Sequence, residues 1–477
     1  MSSHGGDTLT DVSTPWLEPS GSNGAECFAL VVVWSRSEPH RVGEAALFPP
    51  HSSSVVLGRA HSQGGGGRVR FFRQRPDDLI EMPELQGRGM SREQLRIQLT
   101  RGGLKIDNIG RPTVLVNGQE IRRTVVRSGD LIEIQHQLLL YCTRRPLRVA
   151  PLRSRGAPAF GFGEPDEVGM VGEDPVTWAL RDRLAFLARR QAHVLILGQS
   201  GTGKELAARA IHHLSPRTSK ALISRNAATI PTSLADAELF GNVKNYPNPG
   251  MAHRPGLVGS ADGGTLFLDE FGELPAEVQT HLLRVLDAGG EYQRLGDATP
   301  RRADLRFIAA TNRSPEELKA DLVARLQLRV NTPTLQERRA DIPLLARKIL
   351  QRVIAAEPDL ARFAQDGEPR LAPDLLACLL KHDYTLHVRE LESLLWLALS
   401  SSPGDFIALT PEVRTELKAT TAAPPKIDFT APEELTREQI EEALDRHSGS
   451  QEKAWRDLGL SSRHVLYRLI KKHNLQS

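Results

Sequence analysis

Short runs with strand-like alternation fill the chain from Phe28 to about Thr143. Leu95-Arg96-Ile97-Gln98-Leu99 alternates strictly and Leu131-Ile132-Glu133-Ile134 nearly so. Asn117-Gly118 and Ser128-Gly129-Asp130 supply turn chemistry between such runs. Several short strands at close spacing predict an all-β sandwich. From about Asp166 to Ser401 the pattern changes. Val194–Leu197, Thr265–Leu268 and Leu305–Ala309 predict buried strands, and Val278, Leu282, Val285 and Leu286 recur at helical spacing between the last two. Strands alternating with helices predict a parallel α/β sheet, and the helical pattern from Pro343 to Leu399 predicts a subdomain beside it. The closing stretch, 433–477, predicts a compact all-α unit ending in basic residues.

Breaks in the pattern set the expected organisation. Residues 1–27 are Ser/Gly-rich without periodicity and predict a disordered tail. Folded regions are expected at 28–145, 166–333, 334–401 and 433–477, joined by linkers at 146–165 (Pro, Arg and Gly) and 402–432 (Pro, Thr and Ala). A multidomain chain also suits a length of 477 residues, about three times the ~150 of one domain. The formal charge of +3 is too small to imply polyanion binding by itself, so any nucleic-acid surface must be local. Cys27, Cys142 and Cys378 are far apart, without CxxC or zinc spacing, which predicts reduced thiols. The longest apolar run, Cys27 to Trp34, is far short of the ~20 residues a membrane span needs. A cytoplasmic protein without a membrane partner is expected.

Candidate chemistry centres on Gly198-Gln199-Ser200-Gly201-Thr202-Gly203-Lys204, which follows a predicted strand and opens the predicted helix Glu205 to His213. In such a P-loop, backbone N–H groups converge on an oxyanion, the helix N-terminus adds its dipole, and the lysine reaches the β/γ-phosphates. Glu205 stands where Ser or Thr usually contacts Mg²⁺. Gly263-Gly264-Thr265-Leu266-Phe267-Leu268-Asp269-Glu270 supplies an apolar strand ending in two acids. There Asp269 would hold Mg²⁺ through water, and Glu270 would orient or deprotonate the attacking water. Together the two motifs point to ATP and Mg²⁺ as cofactors.

With these residues in view, 166–400 resembles the AAA+ ATPase domain of bacterial enhancer-binding proteins, the activators of sigma-54 RNA polymerase. The resemblance rests on the run 198–205 (Glu205 included), Asn226-Ala227-Ala228, Glu238-Leu239-Phe240-Gly241, Ala261 to Glu270, Ala310-Thr311-Asn312-Arg313 and Val388-Arg389-Glu390-Leu391. It implies that Asn226 restrains Glu270, that Asn312 is a first sensor and that Arg389 is a second. It further implies that Arg325 is a finger reaching a neighbour's γ-phosphate, hence a homo-oligomer from dimer to hexamer. Some positions depart from the family. Its polymerase-contact loop, Gly-Ala-Phe-Thr-Gly-Ala, is replaced by Asn245-Tyr246-Pro247-Asn248-Pro249-Gly250. Lys319 takes the place of a first arginine finger, the stretch between Arg313 and Asp321 is shorter, and Thr385-Leu386-His387 replaces Pro-Gly-Asn.

The flanks carry resemblances of their own. Gly58-Arg59, Ser91-Arg92, Val116-Asn117-Gly118 and Gly129-Asp130 make the first region similar to a forkhead-associated (FHA) domain. That implies phosphothreonine binding by Arg59, Ser91 and Arg92, with Asn108 a candidate peptide contact and Gln94 in place of the histidine that braces the Ser91 loop. The last region resembles a Fis-type helix-turn-helix, with Leu458-Gly459-Leu460 at the turn and a reading helix from Ser462 to Lys472. On it Ser462, Arg463, His464, Tyr467, Arg468, Lys471 and Lys472 would meet DNA. Two functions stay open at this point. One is an ATP-hydrolysing ring that remodels sigma-54 RNA polymerase at upstream DNA sites under control of a phosphothreonine-containing partner. The other is a DNA-binding regulator or phosphopeptide adaptor that binds ATP without remodelling.

Overall fold

A computed structural model describes residues 26–60, 67–153, 160–246, 248–421 and Ile470. The chain forms one continuous unit through Arg414, and a second begins at Thr415. The DNA-contact positions expected at Ser462–Lys472 lie outside the described residues, as do the tail before Glu26 and positions 422–432.

Twelve strands build the first region. They are β1 (Glu26–Ser35), β2 (Ala45–Phe48), β3 (Val55–Leu57), β4 (Phe72–Arg75), β5 (Asp78–Glu81) and β6 (Leu95–Thr100). The chain continues with β7 (Gly103–Asn108), β8 (Val114–Val116), β9 (Gln119–Glu120), β10 (Arg123–Val126), β11 (Leu131–Ile134) and β12 (Leu138–Pro146). They pair into an eight-stranded sheet, order β5-β4-β2-β1-β12-β11-β8-β9, and a four-stranded sheet, order β10-β7-β6-β3. The inward residues of both, among them Leu30, Val32, Leu95, Ile97, Leu104, Ile106, Ile132 and Leu140, are wholly buried and form one core. The alternation seen along Leu95–Leu99 thus has its expected cause: Leu95 and Ile97 point inward while Arg96 and Gln98 face water. Asn117 and Gly118 both adopt positive φ, 52° and 82°, the geometry a two-residue hairpin turn demands.

The second region is an α/β sheet of five parallel strands, order β14-β15-β18-β13-β19. These are β13 (Val194–Leu197), β14 (Leu222–Asn226), β15 (Thr265–Asp269), β18 (Arg306–Thr311) and β19 (Leu328–Asn331). Between β15 and β18 lies the small hairpin β16 (Glu291–Tyr292) and β17 (Arg301–Arg302). Helices α1 (Pro175–Ala188), α2 (Lys204–His213), α3 (Ala235–Phe240), α4 (Gly256–Ser260), α5 (Ala276–Leu286) and α6 (Ala320–Arg325) pack around it. The lid holds α7 (Ile342–Ala356), α8 (Pro373–Lys381) and α9 (His387–Ser401).

Two expectations about linkers need correction. The stretch 402–432 was expected to be linker throughout, yet Pro411–Thr421 is helical (α10). The described ends of 146–165 are docked rather than free. Phe160 stacks on Trp178 at 5.8 Å, and Arg75 at the end of β4 donates to the carbonyls of Phe160 and Gly161, both at 2.8 Å. The same guanidinium grips Glu173, just before α1, through Nη2 to Oε1 and through Nε to Oε2 at 3.0 Å. Glu173 is 1% exposed and also accepts from Trp178 Nε1 and Gly163 N. The β-rich region and the α/β region therefore share a buried, hydrogen-bonded contact.

Candidate active site

The residues singled out for nucleotide chemistry meet at the C-terminal ends of the five parallel strands, where open α/β sheets bind ligands. Gly198 follows β13, Asn226 ends β14, Asp269 ends β15, Asn312 follows β18 and Thr332 follows β19. Register places Asn226 directly beside Asp269.

The loop 198–204 is held from several sides. Gly201 has φ +81°, and a Cβ on it would lie 2.0 Å from the Leu386 carbonyl oxygen, so both its backbone and its neighbour require glycine. Thr202 Oγ1 bonds the Gln199 carbonyl at 2.8 Å and Thr332 Oγ1 at 2.7 Å. The backbone N–H groups of Gly201, Gly203 and Lys204, among others, donate to no protein acceptor among the described residues, which leaves free donors at the head of α2 for an anion. Buried Lys204 donates to the Gly198 carbonyl at 3.0 Å and lies 3.6 Å from Glu270. These donors, the lysine and the acids at the β15 end fit a phosphate chain with a divalent cation.

Several expected roles look different in place. Asn226 was expected to restrain Glu270; here its Oδ1 accepts from its own Ala228 N–H at 2.9 Å, because a short turn starts at that residue and needs a cap. Glu270 itself has φ +47°, a conformation that costs a non-glycine residue energy. Glu205 points to solvent and pairs with Arg209 at 2.6 Å. Asp269 Oδ1 accepts from Glu270 N–H at 3.0 Å, and Asn312 is exposed at the strand end. Arg325 is half-buried and paired with Asp287 at 2.6 Å, and this holds the Asp287 carboxyl below the usual carboxylate range. Lys319 donates to Ala276 O and Thr280 Oγ1. Arg389 donates to Ser200 Oγ at 3.0 Å, so the lid touches the loop. No cluster of three or more metal-ligand side chains occurs among the described residues.

The segment at the position of the polymerase-contact loop closes on itself. Asn242 Nδ2 donates to the carbonyls of Val243, Tyr246 and Ala252, Asn245 N–H donates to Met251 O, and Gly250 N–H donates to Asn245 Oδ1. Pro247 lies outside the described residues. Tyr246 packs against Gly296 yet remains 42% exposed.

At the end of the β-rich region, Gln94 is fully buried and braces the Ser91 loop, accepting from Ser91 N–H at 3.2 Å. Its Nε2 donates to Asn108 Oδ1 and the Pro112 carbonyl. Asn108 is tied into this loop: its Nδ2 donates to Pro112 O and its Oδ1 also accepts from Gly110 N–H, while the side chain stays half-buried. Ser91 Oγ accepts from Arg111 N–H, Arg92 is exposed, and Arg59 Nε is buried without a hydrogen-bond partner. Arg68 was missed; it ties the two loops through the carbonyls of Gly58, Arg59 and Arg92. Nothing in its sequence context beside a glycine run distinguishes it.

Comparison with known proteins bears on this geometry directly. Residues 170–336 match the family model described as the Sigma-54 interaction domain. The chain is 37% identical to the transcriptional regulatory protein ZraR of Escherichia coli (strain K12) over 315 residues, 64% of this chain and 68% of that protein. It is 35% identical to the DNA-binding transcriptional regulator NtrC of Salmonella typhimurium (strain LT2) over 342 residues, 64% of this chain and 70% of that one. The chain belongs to the sigma-54 interaction-domain family. A Nif-specific regulatory protein of Azotobacter vinelandii is 36% identical over 331 residues, covering 67% of this chain but only 60% of its own length. The family match accounts for the AAA+ arrangement of sheet and P-loop. No helix among the described residues is long and apolar enough to cross a membrane.

Proposed function

We propose that this protein is an ATP-dependent, DNA-binding transcriptional regulator of the sigma-54 enhancer-binding class, controlled by a phosphothreonine-reading N-terminal region. The observation that carries the proposal is the convergence of the Gly198–Lys204 loop, Asp269, Glu270 and Asn312 at one sheet edge inside a sigma-54 interaction domain. In this reading the free amides of the loop and Lys204 hold the phosphates of ATP. Glu270 is the group that orients the attacking water, and Arg389 reaches the phosphates from the lid. Mg²⁺, held through Asp269, would supply charge neutralisation at the γ-phosphate. Arg325, half-buried at the end of α6, would reach a second copy of the chain in a ring once released from Asp287. A phosphothreonine would meet Arg59, Ser91 and Arg92, and residues 462–472 would anchor the ring to DNA.

A second reading is favoured by the loop at 242–254. It lacks the family's Phe and Thr and is internally hydrogen-bonded, which supports a regulator that binds ATP without remodelling polymerase. The deciding experiment uses purified protein, sigma-54 polymerase and a sigma-54 promoter, with a typical family member as positive control. ATP-dependent, heparin-resistant open complexes support the first reading. Their absence alongside measurable ATP binding supports the second.

A further inference from the structure

Three consecutive lid residues grip three consecutive residues of the phosphate loop. Val388 N–H donates to Gly201 O at 3.2 Å, Arg389 donates to Ser200 Oγ, and His387 Nε2 lies 2.7 Å from Gln199 Oε1. His387 is 1% exposed and has φ +50°, so its ring is enclosed by its neighbours on a backbone conformation uncommon outside glycine. Its other nitrogen, Nδ1, accepts from the Leu335 backbone N–H at 3.4 Å. A backbone amide only donates, so Nδ1 carries no proton and the Nε2–H donates to Gln199. Both ring nitrogens are thus used by the neutral tautomer. Protonation would place a second N–H against the Leu335 N–H.

We propose that His387 is a positioning residue for nucleotide binding: its uncharged ring joins the 332–335 segment, the lid and the phosphate loop, and holds the loop in the shape that receives phosphate. This rests on the ATP reading above. The charged groups facing the ring are Arg338 and Glu337 from the segment before α7 and Glu390 from its own helix; the phosphate loop contributes only the uncharged Gln199. Burial and Arg338 push the imidazole below its usual range, in keeping with the tautomer that the geometry requires.

The test measures ADP affinity of the full chain by calorimetry at pH 7.5 and pH 5.5, for the wild type, His387→Ala and His387→Gln. Glutamine keeps a donor for Gln199 but cannot titrate. Wild type is expected to weaken at low pH, and His387→Ala to bind roughly fivefold more weakly at pH 7.5, the equivalent of one ordinary hydrogen bond. His387→Gln is expected to stay within about twofold of wild type at pH 7.5 and to lose the extra weakening at pH 5.5. Protonation of ADP itself is common to all three proteins and cancels in the comparison. If His387→Ala is misfolded by thermal melting, His387→Gln alone decides. A glutamine variant with the wild type's pH dependence, or an alanine variant that binds like wild type, overturns the inference. A wild type that fails to bind ADP at pH 7.5 removes the ATP reading, and the inference falls with it.

Discussion

Arg75→Met should loosen the hold of the β-rich region on the α/β region by several kcal/mol. In the native protein the Glu173 carboxylate receives four N–H donors, two of them from Arg75, while only 1% of the residue is exposed. Methionine keeps the stem against Phe160, Phe162 and Trp178, whose rings stand 4.9–5.5 Å from the guanidinium carbon, but removes the charge. Glu173 is then a buried anion with two neutral donors. Removing one partner of a buried ion pair costs roughly 3–5 kcal/mol, because the charge left behind is uncompensated. Neutralising it should therefore restore part of the loss, so Arg75→Met/Glu173→Gln should be at least about 1 kcal/mol more stable than the two single costs predict. Urea unfolding followed by tryptophan emission and far-UV circular dichroism measures all four proteins. Where two transitions appear, the cost is read from the lower one. A cost below about 1 kcal/mol for Arg75→Met, or strict additivity in the cycle, would refute the claim that this pair is desolvated and coupled.

Other expectations concern the site and its flanks. Lys204→Ala should abolish ATP binding measured by calorimetry, since the ammonium is the only buried cation beside Glu270 in the described loop. Arg325→Ala should leave ATP affinity within about twofold yet lower turnover by roughly 10³, the effect of losing an arginine finger, and mixing it with Glu270→Gln protein should recover activity if the finger acts on a neighbour. Gln94→Ala removes the brace behind Ser91 and should destabilise the β-rich region by about 1–3 kcal/mol and abolish preference for phosphothreonine peptides; retained preference would leave Gln94 a packing residue only. Acid sensitivity follows from two buried imidazoles, His212 and His387, and the half-buried His193, each held by desolvation below the usual histidine value of 6.5. The unfolded chain takes up these protons first. Stability is therefore full above about pH 6.5 and falls as pH drops, by at most about 1.4 kcal/mol per pH unit for each histidine. Urea midpoints that do not decline between pH 7.5 and 5.5 would contradict this.

The phosphate loop was legible in the sequence because it needs glycines and a lysine at fixed spacing between a strand and a helix, here Gly198, Gly203 and Lys204, and because its strands are short, continuous apolar runs. The hairpin at Asn117-Gly118 was legible for the same reason: two successive positive φ values admit few residue types. What could not be read depends on partners far apart along the chain. Arg75 and Glu173, or Asp341 and Thr177, are ordinary charged or polar residues in sequence, and only the fold makes them neighbours. His387 stood out in the sequence as a departure from Pro-Gly-Asn, without any sign that its ring would reach Gln199. That Asn108 also serves the loop, as acceptor for Gln94 and donor to the carbonyl at Pro112, could not be read from spacing. The helix at Pro411–Thr421 was hidden by the Pro and Thr content around it.

Asp341 gives the docked β-rich region a further meaning. Its Oδ1 accepts from the backbone N–H groups of Glu173 and Asp174 and its Oδ2 from Thr177, while Gly172 lacks the Cβ that would fall 2.4 Å from that oxygen. Three residues earlier, Arg338 donates to the carbonyl of Thr202 in the phosphate loop. The N-terminal region is therefore not a cassette that can be exchanged at will. A chimera carrying a foreign N-terminal region must bring its own counterpart of Arg75 for Glu173, or else leave the turn that carries Arg338 and Asp341 resting beside a carboxylate without its ion-pair partner. Deleting the first 146 residues would in this chain strip away a wall of the α/β region, the one that Arg75 forms against Glu173.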